Sequence, residues 1–225
     1  GEMVFRNFLT VADQVSTVVQ YACRTKKLKK LAILYPKGAA GEAFLQSFEK
    51  EVDDCGGKVV GKEAYGGKME SYVELLNTLK GAQALFIPDV YRRVIDILPS
   101  IEFANITYMV LLGGAGWDHP DLLKGGSRLE GSVFVDGFYV GSTQYGTRYF
   151  TQTIHSAYGV DPTLLEAYAY DTLKLMGTTI AQQQIKTRLQ LHDALGRIKN
   201  FSGVTGSISF DNDGDARRKL LLLQV

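Results

Sequence analysis

Two patterns of apolar positions alternate along the first 136 residues. Short, nearly continuous apolar runs predict strands covered on both faces, as in a parallel sheet. Segments whose apolar residues recur every three or four positions predict helices with one buried face. Predicted strands are Leu31–Tyr35, Lys58–Tyr65, Ala84–Ile87, Tyr108–Leu112 and Gly131–Asp136. Predicted helices are Ala12–Cys23, Gly41–Cys55, Tyr72–Leu79 with Ser71 as its cap, and Tyr91–Phe103. Single helices between strands predict an α/β fold with a mainly parallel sheet and flanking helices.

The pattern changes after Tyr139, where no strand separates the helical segments. Three helices are predicted, at Gln144–Tyr158, Pro162–Gln184 and Leu189–Asn200. The chain then reaches two apolar segments, Ser207–Phe210 and Lys219–Val225, with the polar turn 211–215 between them. Two strands that flank an Asp/Asn/Gly turn predict a β-hairpin.

Charge and cysteine content narrow the possible partners and compartment. The net charge is +1 and the only basic run is Arg24–Lys30, so we expect no nucleic-acid partner. No apolar run reaches the length of about 18 residues that a membrane-spanning helix needs. Cys23 and Cys55 fit a disulfide in an exported chain or two half-buried thiols, and the sequence leaves both open.

No motif in the sequence indicates catalysis, a cofactor or a metal. Gly38–Gly41 matches neither nucleotide-binding loop pattern, although such a turn before a helix suits an anion. The three histidines, His119, His155 and His192, lack metal-ligand spacing. The alternating aspartates of turn 211–215 lack the glutamate that completes a calcium loop. We therefore expect a non-catalytic protein with no cofactor and no bound metal.

The turns that follow the predicted strands are the candidate ligand site. Ligands of open parallel sheets bind beyond the carboxyl ends of the strands. Aromatic, small and charged residues occur together there, as in small-molecule sites. The candidate ligand-binding residues are Lys37, Gly38, Ala39, Ala40, Gly41, Asp89, Val90, Tyr91, Ala115, Trp117, Asp136 and Tyr139. The alternative is that Trp117 and Tyr139 only cover the end of the sheet.

Six segments in this order resemble one family: VFRNFLTVADQVSTVVQYA, LAILYPKGAAGEAFLQSFEKEV, LFIPDVYRRVIDIL, EGSVFVDGFY, EAYAYDTLKLM and GVTGSISFDNDGDARRKLLLLQV. Together they resemble type I periplasmic binding proteins of the leucine/isoleucine/valine-binding type. The resemblance implies a periplasmic or extracellular receptor that holds a small solute, such as an amino acid, in a cleft between two α/β lobes. Membrane subunits of an ABC transporter would be its partners.

The same resemblance implies a division of the chain into one complete lobe and part of another. Residues 1–136 and 203–225 correspond to lobe two, and the helical segment 137–202 belongs to an otherwise incomplete lobe one. Members of the family open with further strands and helices, which do not precede VFRNFLT here. Apolar positions of the helical segment would then lack their sheet, so we expect this chain to self-associate.

Three positions depart from the pattern of the amino-acid-binding members. Those members carry tyrosines at the positions of Ala40 and Val90, and at Ala115 an acidic residue that binds the ligand's ammonium group. Only Asp89 or Asp136 could replace that acid. The segments FIPD, LLGGAGW and GSVFVDGFY also resemble penicillin-binding-protein activator lipoproteins. The alternative function is therefore a lipid-anchored module that regulates peptidoglycan synthesis by binding a cell-wall synthase.

Overall fold

A computed structural model describes residues 4–66, 72–106 and 109–225. The predicted cap Ser71 and the predicted strand start Tyr108 lie outside these residues. The chain divides into two compact units. We call Val11–Asp136 with Leu222–Val225 the sheet unit, and Gly1–Thr10 with Gly137–Leu221 the helical unit. Compared with the predicted division, residues 1–10 and 203–221 group with the helical segment.

The strands and helices are as follows in chain order. The strands are β1 (Lys30–Pro36), β2 (Lys58–Tyr65), β3 (Ala84–Ile87), β4 (Val110–Gly113), β5 (Val133–Asp136), β6 (Phe201–Gly203), β7 (Gly206–Phe210), β8 (Ala216–Arg217) and β9 (Leu221–Gln224). The α-helices are α1 (Val11–Gln20), α2 (Ala39–Asp54), α3 (Tyr72–Thr78), α4 (Tyr91–Phe103), α5 (Tyr145–Tyr158), α6 (Leu164–Gln183) and α7 (Arg188–Gly196). A π-helical turn (Tyr21–Thr25) and two 3-10 segments (Ala115–Trp117 and Pro120–Leu129) complete them.

The sheet of the sheet unit has six strands in the order β2-β1-β3-β4-β5-β9. The pairs β1–β2, β1–β3, β3–β4 and β4–β5 are parallel. The predicted α/β fold with a mainly parallel sheet is therefore confirmed. Successive β3 residues alternate between its two faces: Phe86 stacks on Phe48 of α2 with ring centroids 5.6 Å apart, whereas Leu85 and Ile87 join the core formed with α4. Both faces are covered, which explains the continuous apolar runs.

The cysteines Cys23 and Cys55 form a disulfide, with their Cα atoms 6.3 Å apart. It joins the π-helical turn after α1 to the end of α2, where the two helices already pack on one face of the sheet. Of the two alternatives left open by the sequence, the structure has the disulfide. Along the described residues we find no helix long and apolar enough to cross a membrane.

The helical unit contains a small antiparallel sheet that the sequence analysis missed. Its strand order is β6-β7-β8. Leu175 of α6 and Leu195 of α7 pack against Ile208 and Phe210 of β7. A second cluster forms around Phe150 of α5, whose ring contacts Phe138 and Tyr170. Much of the helical segment therefore has a core of its own.

The predicted hairpin between Ser207–Phe210 and Lys219–Val225 is not formed. Instead β7 pairs with β6 and with the two-residue strand β8. The reason lies in the turn, where the Asp211 carboxylate accepts hydrogen bonds from the amides of Asp213 and Asp215, both at 2.9 Å. This closes the chain at Ala216, and the later strand β9 lies beside β5 instead. The predicted helix Leu189–Asn200 ends early, at Gly196, because β6 follows.

Candidate functional site

The turn between β1 and α2 is tight and leaves a helix N-terminus accessible. A Cβ atom at Gly41 would lie 1.7 Å from the Pro36 carbonyl oxygen, so only glycine fits there. Gly38 has φ 114°, which also favours glycine. The amide of Lys37 donates to the Tyr65 carbonyl oxygen at 2.7 Å. The exposed residues 37–40 precede or begin α2, whose first N–H groups have no partner within the helix and can bind an anion.

The carboxylate of Asp89, which follows β3, accepts two hydrogen bonds. The hydroxyl of Tyr65, at the end of β2, donates to Oδ2, and the amide of Val90 donates to Oδ1 at 2.6 Å. Burial, reinforced by this hydrogen bond, raises the pKa of Tyr65 well above its usual value, so the hydroxyl keeps its proton. Asp89 is thereby fixed at the edge of the sheet.

Trp117 lies in the core and not on the surface of the site. Its side chain is fully buried, and Nε1 donates to the Ile87 carbonyl oxygen at 3.0 Å. A Cβ atom at Gly113 would lie 2.2 Å from the indole ring, so the ring packs directly on β4. This arrangement corresponds to the alternative that Trp117 covers the end of the sheet. Its contribution to a site is to hold the neighbouring turns in place.

The turns after β3 and β4 pack closely against each other. A Cβ atom at Gly116 would lie 2.8 Å from the Asp89 carbonyl oxygen. The rings of Tyr91 and His119 stack with their centroids 3.8 Å apart and an interplanar angle of 2°. His119 is held in this position because its Nδ1 accepts from the Asp121 amide at 3.1 Å. The two turns therefore form one surface.

Helix α1 and strand β5 complete the row of turns. The amide of Ala115 donates to Oε1 of Gln14 at 3.0 Å. Asp136 is buried at the end of β5, and its carboxyl is hydrogen-bonded to that of Asp118. Loss of solvation raises the pKa of Asp118, and the hydrogen bond with Asp136 acts in the opposite direction. The contacts thus run from Lys37 to Asp136 along the carboxyl edge of the sheet.

Tyr139 belongs to the helical unit. Its side chain is 44% exposed. It lines a cavity of about 340 Å³ whose other lining residues include Ser142, Thr147, Thr205 and Lys219. Across the described part of both units, no group of three or more His, Cys, Asp or Glu side chains could hold a metal ion.

A family profile described as periplasmic binding protein matches residues 2–225. The chain belongs to the periplasmic binding protein family. Among the curated proteins searched, none matches it. The resemblance seen in the sequence is therefore confirmed at the level of the family.

Solved structures of proteins from ABC transporters share the fold. A protein of Rhodospirillum rubrum assigned to a branched-chain amino acid ABC transporter is 23% identical, with a TM-score of 0.90 over 98% of this chain. The branched-chain amino acid transporter binding protein of Streptococcus pneumoniae, in complex with isoleucine, is 19% identical with a TM-score of 0.76 over the whole chain. A solute binding protein of Rhodopseudomonas palustris, in complex with benzoate, is 17% identical with a TM-score of 0.79, also over the whole chain.

The chain spans 65%, 64% and 62% of the lengths of these three proteins. It therefore corresponds to about two thirds of a periplasmic binding protein of that size. The expected type I fold, with one complete lobe and part of a second, agrees with this coverage.

Four residues of the carboxyl edge were missed by the sequence analysis: Gln14, Tyr65, Asp118 and His119. The sequence predicts Tyr65 only as the last residue of a strand, although that position places it beside the turn after β1. Asp118 and His119 follow Trp117 directly, so their place after β4 was a usable signal. No pattern in the sequence indicates that Gln14 reaches Ala115, because that contact joins residues 101 positions apart.

Proposed function

We propose that this chain is the greater part of a periplasmic solute receptor that serves an ABC-type transporter and performs no chemistry. The observation that carries the proposal is the row of turns at the carboxyl edge of the sheet, in a chain that belongs to the periplasmic binding protein family. The disulfide between Cys23 and Cys55 agrees with an oxidising compartment such as the periplasm. The alternative function, regulation of a cell-wall synthase, has no support from the relatives named above.

We infer that the ligand is a small carboxylate. Isoleucine and benzoate, the ligands of two relatives, share a carboxylate, and only isoleucine carries an ammonium group. The exposed start of α2 offers backbone N–H groups, and Lys37 adds a positive charge beside them. The remaining proposed contacts are Gly38, Ala39, Ala40, Gly41, Asp89, Val90, Tyr91, Ala115 and Asp136, all in the sheet unit.

The experiment is a binding screen on the 225-residue chain. Isoleucine, leucine, benzoate and other small carboxylates are tested for a rise in the unfolding temperature, because a ligand of the native state stabilises it. Binding of any hit is then measured by calorimetry. A carboxylate that binds, and binds several-fold more weakly to Lys37→Ala, supports the proposal.

The matched control is Lys186→Ala, which removes an exposed lysine of the helical unit and should leave the affinity unchanged. Analogues that lack the carboxylate, the amide of isoleucine and benzamide, should not bind. A hit among the analogues without a carboxylate, or equal affinities in the two lysine variants, would refute a carboxylate site at the start of α2.

A further inference from the structure

Six exposed cations lie together where β1 and β2 begin, at the edge of the sheet opposite to the candidate ligand turns. We call them the basic edge: Arg24, Lys26, Lys27, Lys29, Lys30 and Lys58. The segments that carry them, residues 21–31 and 56–62, contain no acidic residue. Their six charges exceed the net charge of +1 of the whole chain, so the remainder of the chain is net negative.

Ion pairing distinguishes five other cations of the sheet unit from those of the basic edge. Pairs form between Lys50 and Asp54, Lys62 and Glu49, Arg93 and Asp96, Lys124 and Asp121, and Arg128 and Glu102. None of the six cations of the basic edge forms an ion pair with an acidic residue that the structure describes. Lys29 Nζ instead donates to the Cys55 carbonyl oxygen at 3.1 Å, and Lys26 lies 5.8 Å from the Tyr21 ring centroid. Among the described residues, no acidic side chain therefore pairs with this positive charge.

The backbone beneath the basic edge is held firmly. The side-chain oxygen of Gln83 accepts from the amides of Lys29 and Lys30, at 2.8 and 3.0 Å. The amide of Lys58 donates to the Lys29 carbonyl oxygen at 2.7 Å. The Cys23–Cys55 disulfide joins the two segments just before the strands. The lysines thus project from a fixed surface.

Two features of the basic edge oppose the stability of the fold. Lys30 and Lys58 are partners in the register of β1 and β2, and like charges on neighbouring strands repel. Lys27 has φ 59°, a conformation that costs an L-residue energy and that glycine adopts freely. Folding alone would favour glycine at position 27 and an acid opposite Lys30. The lysines therefore fit a role in interaction better than one in folding.

We propose that the basic edge is an electrostatic docking surface for a membrane that contains anionic phospholipids. Five of the six cations are lysines, whose compact charges attract a layer of mobile anionic headgroups without requiring a fixed geometry. A nucleic acid is less suitable, because single-strand sites combine cations with several stacking aromatic rings, and segments 21–31 and 56–62 carry one aromatic residue, Tyr21. The disulfide also matches an oxidising compartment, where the protein would meet a membrane surface.

The test measures co-sedimentation of the 225-residue chain with lipid vesicles at low salt. Vesicles of equimolar phosphatidylglycerol and phosphatidylcholine should bind the chain, and vesicles of phosphatidylcholine alone should not. The triple variant K26Q/K27Q/K30Q should lower the partition coefficient about a hundred-fold, because each lysine near an anionic surface contributes to the free energy of membrane binding. The control K186Q/R188Q/K219Q removes three exposed charges of the helical unit and should change it less than about three-fold.

Circular dichroism confirms that each variant is folded, and K30Q/K58Q serves as a second variant if the triple variant is not. Raising the salt to about 0.5 M should abolish binding, because the screening length then falls to a few ångströms. The proposal is overturned by equal binding to phosphatidylcholine vesicles, by equal losses in the two triple variants, or by no binding to the anionic vesicles at low salt. Binding that persists at high salt also contradicts it.

Discussion

The hydroxyl of Tyr65 donates a hydrogen bond to the carboxylate of Asp89, joining the end of β2 to the turn after β3. The two strands are not neighbours, since β1 lies between them. The Tyr65 side chain is almost completely buried, and its T-shaped contact with Tyr72 fixes the ring. This bond therefore orders the carboxyl edge across three strands, and Asp89 depends on it for its orientation.

Replacing Tyr65 by Phe should lower the free energy of unfolding by about 1.5–3 kcal/mol, because it removes a hydrogen bond to a charged group and keeps the ring. Urea unfolding measures the change. Tyr72→Phe is the matched control, since the Tyr72 hydroxyl accepts a long, 3.5 Å hydrogen bond from Arg93 at the surface. The control should lose less than about 0.5 kcal/mol. Equal losses in the two variants would show that the hydrogen bond to Asp89 contributes no more to the free energy of unfolding than the surface hydrogen bond of Tyr72 does.

The raised pKa of Asp118 predicts a pH-dependent stability. The folded protein holds the proton of this carboxyl more tightly than the unfolded chain does. In the unfolded chain the pKa of the carboxyl is near 3.8. Stability from this group is therefore present at low pH and falls as the pH rises through the folded-state pKa. Asp118→Asn cannot release that proton, so its stability relative to the wild type should increase from about pH 4 to neutral pH.

The control for Asp118 is Asp121, three positions along the chain. A hydrogen bond with Lys124 lowers the pKa of Asp121, so its contribution is present above the ordinary carboxyl value and is lost as the pH falls. Asp121→Asn should therefore lose stability relative to the wild type as the pH rises, the opposite trend. The midpoints of urea unfolding, measured across this pH range, test both trends. A difference between Asp118→Asn and the wild type that does not change with pH would contradict the prediction.

The strands β1 to β5 and the α-helices α1 to α4 could be predicted because each has strong local signals. Ala84–Ile87 is a wholly apolar run that ends at Pro88, and both of its bounds are confirmed. Strands β6 and β8 could not be predicted, since they have three and two residues and depend on tertiary hydrogen bonds. The failure of the predicted hairpin has the same origin: contacts of Asp211, not alternation of apolar residues, fix where β7 turns.

The position of the candidate site could be predicted better than its side chains. Topology places the turns after β3 and β4 at one edge, and the structure has them in contact through Gly116 and Asp89. Sequence does not reveal which way a side chain points, and Trp117 turns into the core because Ile87 offers its indole N–H an acceptor. The stacking of Tyr91 on His119 likewise depends on tertiary packing.

Removing the disulfide in Cys23→Ala/Cys55→Ala should lower the free energy of unfolding by about 3–4 kcal/mol, the loop-closure value for a separation of 32 residues. Urea unfolding with and without dithiothreitol measures it. Reduced wild type should unfold at nearly the same urea concentration as the variant, and the variant should not respond to the reductant. A stability difference that persists under reducing conditions would assign the effect to side-chain packing instead.

Self-association of this chain remains a prediction, and the structure identifies the surface to test. Large side chains of α5 and α6 are exposed, with Tyr145 at 80%, Tyr149 at 59%, Leu165 at 65% and Leu173 at 72%. Apolar area of this kind favours burial between copies. Light scattering should show a mass that increases with concentration, and Leu165→Glu/Leu173→Glu should restore a monomer. A wild type that remains monomeric at high concentration would refute the prediction.

The buried carboxylate of Asp171 holds α6 to the turn between β6 and β7, and it offers the sharpest test of the helical unit. It accepts from the Val204 amide at 2.7 Å, the Thr205 amide at 2.9 Å and the Thr205 hydroxyl at 2.6 Å. A Cβ atom at Gly203 would lie 2.4 Å from the same carboxylate, so only glycine permits this approach. Asp171→Asn places an amide donor against these donors and should cost about 3–5 kcal/mol.

Hydrogen exchange distinguishes this role from a general loss of packing. In Asp171→Asn the amide of Val204 or that of Thr205 should lose protection before those of α5, because the two amides donate to different oxygens and asparagine keeps only one acceptor oxygen. Gly203→Ala should destabilise the same turn, whereas Asp193→Asn, at an exposed position of α7, should change stability by less than about 0.5 kcal/mol. If Val204 and Thr205 keep their protection in Asp171→Asn, the carboxylate does not hold the turn, and the order of β6 and β7 must come from the packing of Ile208 and Phe210.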